Sequence, residues 1–588
     1  MAQTQGFIAL HVKRLVWRYC QLAPCVAVLL ACYTGTSATL AADDAVPAPV
    51  AGAVPAKKSA ASKGALPQVA IINEQIRLQW ESNNLAPSPQ ASEGEWCRRA
   101  FLDVLGRIPT VDELKRFSDD SGQDRELRLV NRLLGDNYVE VYARNWTTLW
   151  TNLLIGRSGG TERRTLVNRE GLQQSLRRAL ERDMPYDRLV FELISAKGVS
   201  KPGEENFNGF VNFLAGTLQE NGVQATAKTS QIFLGVQIQC TQCHNHPFND
   251  AKQNQFWEMN AFFRQTRALR RFEKGRDVAA IELVNQDFAG ENNRPEEAVL
   301  FYELRNGLSK AAYPVFVDGT KLASDSGFVA DVDRRTELAK LVTGSESLSK
   351  AFVNRLWAHF FGYGFTKPAD DMGPHNPPSH LELLDTLAGE FKTHSYNVKE
   401  LMRWILLSEP YGLSSKFIAR NKKDDPALGE KPMFSHFYLR QMRPEELYES
   451  LLIATEAEST ETSYEKQEEI KSKWLDQFTL AFGTDDNEET TTFNGTIPQV
   501  LMMMNGELIN RATSTAKGSL LQRMATDPKM NNAAKINHLY LAGLARRPTP
   551  QEVTLANELM LLRKGDPIAA LQDVWWAVLN SNEFILNH

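Results

Sequence analysis

A mainly α fold, with two helical domains and a small β insertion between them, is predicted by three features of the chain. Apolar residues recur at three- and four-residue spacing over most of the length after residue 69. Short β-branched or aromatic runs gather between 268 and 329, and helical spacing resumes at Arg334-Arg-Thr-Glu-Leu-Ala-Lys-Leu-Val. At 588 residues the chain exceeds one ordinary core, and roughly 100 to 200 residues per domain gives two or three domains. Charge is balanced: 66 basic against 71 acidic residues leave −5, with no excess that would favour nucleic acid or an anionic membrane surface. Nucleic acid is therefore not a predicted partner.

Residues 1–42 read as an export signal. His11, Lys13, Arg14 and Arg18 precede the apolar run 22–32, and small residues follow in Ser37-Ala-Thr-Leu-Ala-Ala42, which places cleavage near Ala41 or Ala42. Residues 20–42 are almost free of charge and about long enough to span a bilayer, so an uncleaved signal would act as an anchor. Leu29-Leu-Ala-Cys32 resembles a lipoprotein box apart from the leucine before the alanine. The expected location is periplasmic or extracellular, membrane-tethered if the signal is uncleaved or lipidated. No other segment has the length and apolarity of a membrane span. Residues 43–68 are rich in Ala, Pro, Lys and Ser and carry too little apolar surface to offset the entropy of ordering, so they read as a disordered linker.

The first helical domain spans 69–267, with helical patterns over 96–105, 125–134, 171–180 and 186–194. The insertion, 268–329, holds strand-like runs at 279–284, 298–304 and 313–317. The second helical domain, 330–588, is interrupted by polar loops around 421–431 and 483–494. One motif recurs: Phe101-Leu-Asp-Val-Leu-Gly-Arg-Ile-Pro-Thr-Val-Asp-Glu113 returns as Tyr540-Leu-Ala-Gly-Leu-Ala-Arg-Arg-Pro-Thr-Pro-Gln-Glu552. Thr110 with Glu113, and Thr549 with Glu552, have capping-box spacing, so each copy reads as a helix-turn-helix corner that Arg107 and Arg546 decorate.

Three of the six cysteines lie in the signal, leaving Cys97, Cys240 and Cys243, which is no disulfide scaffold. Cys97 sits at a helical core spacing and reads as a buried small hydrophobe. Cys240-Thr-Gln-Cys243-His244 is different in kind. A chain with these numbers of cysteines and histidines would contain C-x-x-C-H by chance about one time in a thousand. Two cysteines one turn apart can form thioethers to one haem edge while the adjacent histidine reaches the iron, so Cys240, Cys243 and His244 are the candidate ligands of a haem c. Export agrees, and the chemistry implied is electron transfer or redox sensing with a redox partner protein. Zinc held by Cys240, Cys243 and His246 or His244 is the alternative cofactor reading. Structural thiols or a disulfide are the third. The aromatics of Phe256-Trp-Glu-Met-Asn-Ala-Phe-Phe263 suit either a haem wall or an ordinary core.

A second cluster follows Asn354-Arg-Leu-Trp-Ala-His-Phe-Phe-Gly-Tyr-Gly364. In the Pro/Gly loop after it, Asp370, Asp371, His375 and His380 are candidates for acid–base work or cation binding, as in an extracellular glycan-related hydrolase or binding protein. The competing expectation is loop fixing, with Ser379 capping a helix from His380. A scaffold built of helical corners is a further reading, and Met372 or one of these histidines is a candidate sixth haem ligand.

Several strings together resemble a secreted planctomycete-type architecture, in which the second planctomycete cytochrome C domain precedes the first planctomycete secreted domain. The first is carried by Arg98-Arg-Ala-Phe-Leu-Asp-Val-Leu-Gly-Arg-Ile-Pro-Thr, Asp183-Met-Pro-Tyr-Asp-Arg and the run 233–248 containing C-x-x-C-H. The second is carried by Phe352-Val-Asn-Arg-Leu-Trp, Pro377-Pro-Ser-His-Leu-Glu-Leu-Leu-Asp, Arg443-Pro-Glu-Glu, Met504-Asn-Gly and Leu579-Asn-Ser-Asn-Glu-Phe. The resemblance implies Cys240, Cys243 and His244 as haem residues in families of largely unassigned function. Asn245 and Asn249 stand where the resemblance leads one to expect aspartate, which removes two carboxylates beside the motif and leaves the haem ligands in place.

Overall fold

A computed structural model describes residues 66–588 apart from 161–164, 248–249, 273–277, 292, 295, 324, 457–462, 483–506 and 565. The expected export signal, all but the last residues of the expected linker, Phe248, Asn249, the loop 483–494 and Met504-Asn-Gly lie outside the described residues. The chain is mainly α, with small strand pairs. The first described helix starts at Pro67, the proline occupying its favoured first position.

The helix Glu93–Leu105 shows how local sequence sets an element. Ser92 accepts from the Glu95 amide and Glu95 reaches back to the Ser92 amide, closing a capping box. The helix stops at Gly106, whose φ of 69° is left-handed and whose missing side chain admits the Asn145 carboxamide. The two repeated corners form as their spacing predicts. Thr110 and Thr549 each accept from the amide three residues on, and Glu113 and Glu552 return the bond. Arg107 grips both carboxylate oxygens of Glu113 at 2.9 and 2.8 Å, and Arg546 grips Glu552 at the same two distances.

The insertion forms two small antiparallel units. Strands β1 (Gly198–Val199), β2 (Thr266–Phe272) and β3 (Val278–Asn285) lie in the order β1-β3-β2, so the insertion is tied to the first helical segment. Strands β4 (Leu300–Glu303) and β5 (Ser309–Ala312) form a hairpin. The run 313–317, expected as a strand, is not one. Gly307, at φ 79°, turns the chain early enough for 309–312 to pair with β4, Pro314 lacks an amide donor, and only the bridge Val315 to Lys321 remains.

Residues Leu66–His588 make one compact unit. Its main core draws on both helical segments, from Val69 to Tyr438 with Ala545. Tyr186 stacks on Phe352 at 3.9 Å between ring centroids, and Trp150 stacks on the same ring at 6.3 Å. Cys97 is fully buried, and burial pushes its thiol pKa up, as suits a core hydrophobe.

Candidate functional site

The approach to C-x-x-C-H is irregular helix. The helix Gln219–Thr229 gives way to one π turn, Ser230–Leu234, and Gly235 then takes a left-handed φ of 66°. π turns recur at functional sites because the extra residue re-aims the side chains around it. Here Gln231 and Gln237 donate to the two oxygens of Asp370 at 2.8 and 2.9 Å, and the Gly235 carbonyl accepts from the Met372 amide at 2.7 Å. A methyl group on Gly235 would fall 2.5 Å from Cε of Met372. The two regions read separately in the sequence, the cysteine motif and the 370–380 loop, are thus in contact.

The motif occupies a 3-10 turn, Gln239–Gln242. Thr241 is buried and its hydroxyl donates to the Ile238 carbonyl at 2.6 Å. The Gln242 carbonyl accepts from the Trp257 indole at 3.1 Å and from Gln253 at 3.2 Å. The turn is therefore pinned by its backbone, and Cys240 and Cys243 stand exposed as free thiols. His244 Nδ1 lies 2.7 Å from the Asn245 carbonyl. A carbonyl only accepts, so Nδ1 carries the proton and the neutral ring's lone pair is on Nε2. Phe256, Phe262 and Phe263 are buried in the core; Phe256 packs with Val223 and Ile238 beneath the turn. These rings act as core, Phe256 beneath the motif and Phe262 and Phe263 in the main core, and Trp257 holds the turn directly through its indole.

The four candidates of the second cluster have separate environments. Asp371 accepts from Nε2 of His375 at 3.1 Å, and Asn376 donates to the Asp371 carbonyl at 2.8 Å. Asp370 is taken up by the two glutamines. His380 is 2% exposed, its ring against Phe365 and Phe434, and burial lowers its pKa to about 4. Ser379 does not cap the following helix, Leu381–Thr393: His380 holds the N-cap position and no side chain bonds there, because the Ser379 hydroxyl is engaged with His380 Nδ1 at 2.8 Å. Across the junction, the rings of His375 and His246 have centroids 6.4 Å apart.

Some of the residues that carry the resemblance belong to a buried charge network. Arg98 and Arg99 donate to the carbonyls of Phe584, Leu586, Tyr411 and Leu413. Asp103, fully buried, accepts from Arg440, from the Tyr411 hydroxyl at 2.7 Å and from Asn587 at 2.8 Å. Burial alone would raise the Glu446 carboxyl pKa, but Arg443, Arg440 and the Arg443 amide outweigh it and hold the group at about 2. The signal available in the sequence was charge at core positions: Arg98, Arg99 and Asp103 fall inside the apolar run 96–105.

A cleft of about 680 Å³ lies elsewhere, lined by Asn152, Arg157, Arg169 and Glu445 among others. Arg157 pairs with Glu445 at 3.2 Å and Asn152 donates to the same carboxylate at 2.9 Å, and none of the sequence-predicted site residues lines it. Among the described residues no three His, Cys, Asp or Glu side chains gather as a ready metal site, and no helix is long and apolar enough to cross a membrane.

A haem c fits the donor set at the turn: two free, exposed thiols one turn apart and a histidine whose Nδ1–H is already committed to a carbonyl, the arrangement that orients a ligating imidazole. Comparison with known proteins identifies the segments. The family model PSCyt2, protein of unknown function (DUF1549), matches residues 71–268, and PSD1, protein of unknown function (DUF1553), matches 334–560. No curated protein and no solved structure matches the chain. The cysteine turn falls in the first segment and the 370–380 loop in the second. The chain belongs to the family of proteins in which a PSCyt2 domain is followed by a PSD1 domain.

Proposed function

We propose that the protein is an exported cytochrome-like protein that holds one haem c, thioether-linked to Cys240 and Cys243, with His244 as axial ligand, and that it works in electron transfer or redox sensing. The observation that carries this reading is the presentation of the motif: both thiols are exposed and unpaired on a turn whose backbone is fixed from behind by Trp257, Gln253 and Thr241. A haem bound there supplies one-electron chemistry. The chain's own contribution is placement. His244 is held by the Asn245 carbonyl in the tautomer that offers Nε2, and Val223, Ile238 and Phe256 form an apolar floor under the turn.

The test is expression with the export signal in a host that matures c-type cytochromes, followed by denaturation and absorbance. The wild-type chain keeps its haem spectrum in denaturant. The double variant Cys240→Ser, Cys243→Ser loses it while keeping the wild-type far-ultraviolet circular dichroism. A colourless wild-type chain, from cells that mature a control cytochrome, would overturn the proposal.

A further inference from the structure

His246 and His375 come from opposite sides of the junction. His246 follows the cysteine turn, its amide donating to the Ala251 carbonyl at 2.8 Å. His375 sits in a tight loop closed by the bridge between Gly373 and Asn376. Their ring centroids are 6.4 Å apart with planes at 43°. Two imidazoles on one metal, with nitrogens about 2.1 Å from the ion, have centroids roughly 5.3 Å apart at a tetrahedral angle and about 6.5 Å apart when they stand opposite each other, so the observed spacing is that of two nearly trans ligands of a square-planar or tetragonal ion.

The second observation concerns His375 alone. Its Nε2 faces the Asp371 carboxylate at 3.1 Å, which accepts, so Nε2 carries the proton and Nδ1 holds the lone pair. That Nδ1 is buried and has no hydrogen-bond partner among the described residues, a condition that costs about 1–3 kcal/mol when nothing satisfies the atom. Gly373 makes the position possible, because a Cβ there would fall 2.9 Å from Nδ1. A carboxylate on one ring nitrogen and an unpartnered lone pair on the other is how ligating histidines are oriented. Among the described residues no third ligand joins the pair, which leaves the other positions of an ion to water, and imidazole donors select zinc and copper over magnesium and calcium.

We propose that His246 and His375 together bind copper(II) as opposed ligands, with Asp371 orienting His375, and that the ion ties the PSCyt2 segment to the PSD1 segment. Cys240, Cys243 and His244 take no part, so the site stands or falls independently of the haem.

The full chain, produced without haem maturation and stripped with chelator, is titrated with Zn(II) and with Cu(II), following binding by calorimetry and the melting temperature. The wild type and the Cys240→Ser, Cys243→Ser variant bind one equivalent of Cu(II) with equal affinity and more tightly than Zn(II), and the melting temperature rises. His375→Asn and His246→Asn each lose tenfold or more in affinity, and Asp371→Asn loses about 10- to 100-fold. Should His375→Asn fail to fold, His246→Asn, in a surface turn, carries the same test. Absence of saturable binding to the wild type overturns the proposal. So does binding that survives both histidine changes, or that is lost with the cysteines, which would put the ion on Cys240 and Cys243.

Discussion

Gly235 carries the junction between the two segments. It needs both a left-handed φ and room for Met372, and an alanine would violate both requirements. Gly235→Ala is therefore expected to destabilise the chain by about 1–3 kcal/mol, read in chemical denaturation; an unchanged midpoint would contradict the contact. His380 gives a pH signature. The unfolded chain takes a proton on this histidine near pH ~6.5, whereas the buried ring does so only at about 4. Between those values the unfolded state binds more protons, so stability present at neutral pH is lost as pH falls through that window, by up to about 3 kcal/mol. His359, buried and beside Arg443 and Arg440, is shifted the same way and adds to the slope. His380→Gln flattens the profile between those pH values, and an unaltered slope would contradict the assignment. At this scale the cysteine motif was legible because it is local. The meeting of His246 with His375 was not, since it depends on a contact across more than a hundred residues of intervening chain.

The repeated corners were the most legible elements, because cap and third-position glutamate lie within four residues of one another, joined in the second copy by the first-turn proline Pro550. Thr110→Ala and Thr549→Ala each cost about 1 kcal/mol in thermal or denaturant unfolding. Glu113→Gln costs more than Thr110→Ala, because Glu113 also takes the Arg107 fork and the Tyr138 hydroxyl at 2.7 Å; equal effects would show the arginine to be idle. The strand at 309–312 was missed because Ser-Lys-Ala-Ala has little β propensity, and only its pairing with β4 makes it one. The approach to the motif read as apolar helix, and its helical character is right. Its π turn places Gln231 on Asp370, a tertiary contact that periodicity does not report.

For the whole molecule, the change of pattern at the β insertion was legible, but the core shared by the helical segments on either side of it was not. Periodicity shows which face of a helix is apolar and is silent about the partner it meets. Arg98, Arg99 and Asp103 bind the Glu93–Leu105 helix to residues near 411–413 and 584–587 through buried, charge-assisted bonds. Asp103→Asn leaves Arg440 without a paired anion on that side, and a loss of about 3–5 kcal/mol is expected in unfolding experiments; a change below the error of measurement would contradict the network. Acid acts on the same region through Glu446. Its folded pKa of about 2 lies below the unfolded value near ~4.3, so its contribution is present above the unfolded pKa and is lost as pH falls toward 2. The junction itself unites the cysteine turn of one segment with the loop of the other, and what that turn carries decides the protein's chemistry. Peptide mapping of the exported, matured chain tests it most directly: the fragment containing Cys240 and Cys243 should bear the mass of one haem and resist thiol alkylation. Recovery of that fragment with both cysteines alkylated and no added haem would contradict the account.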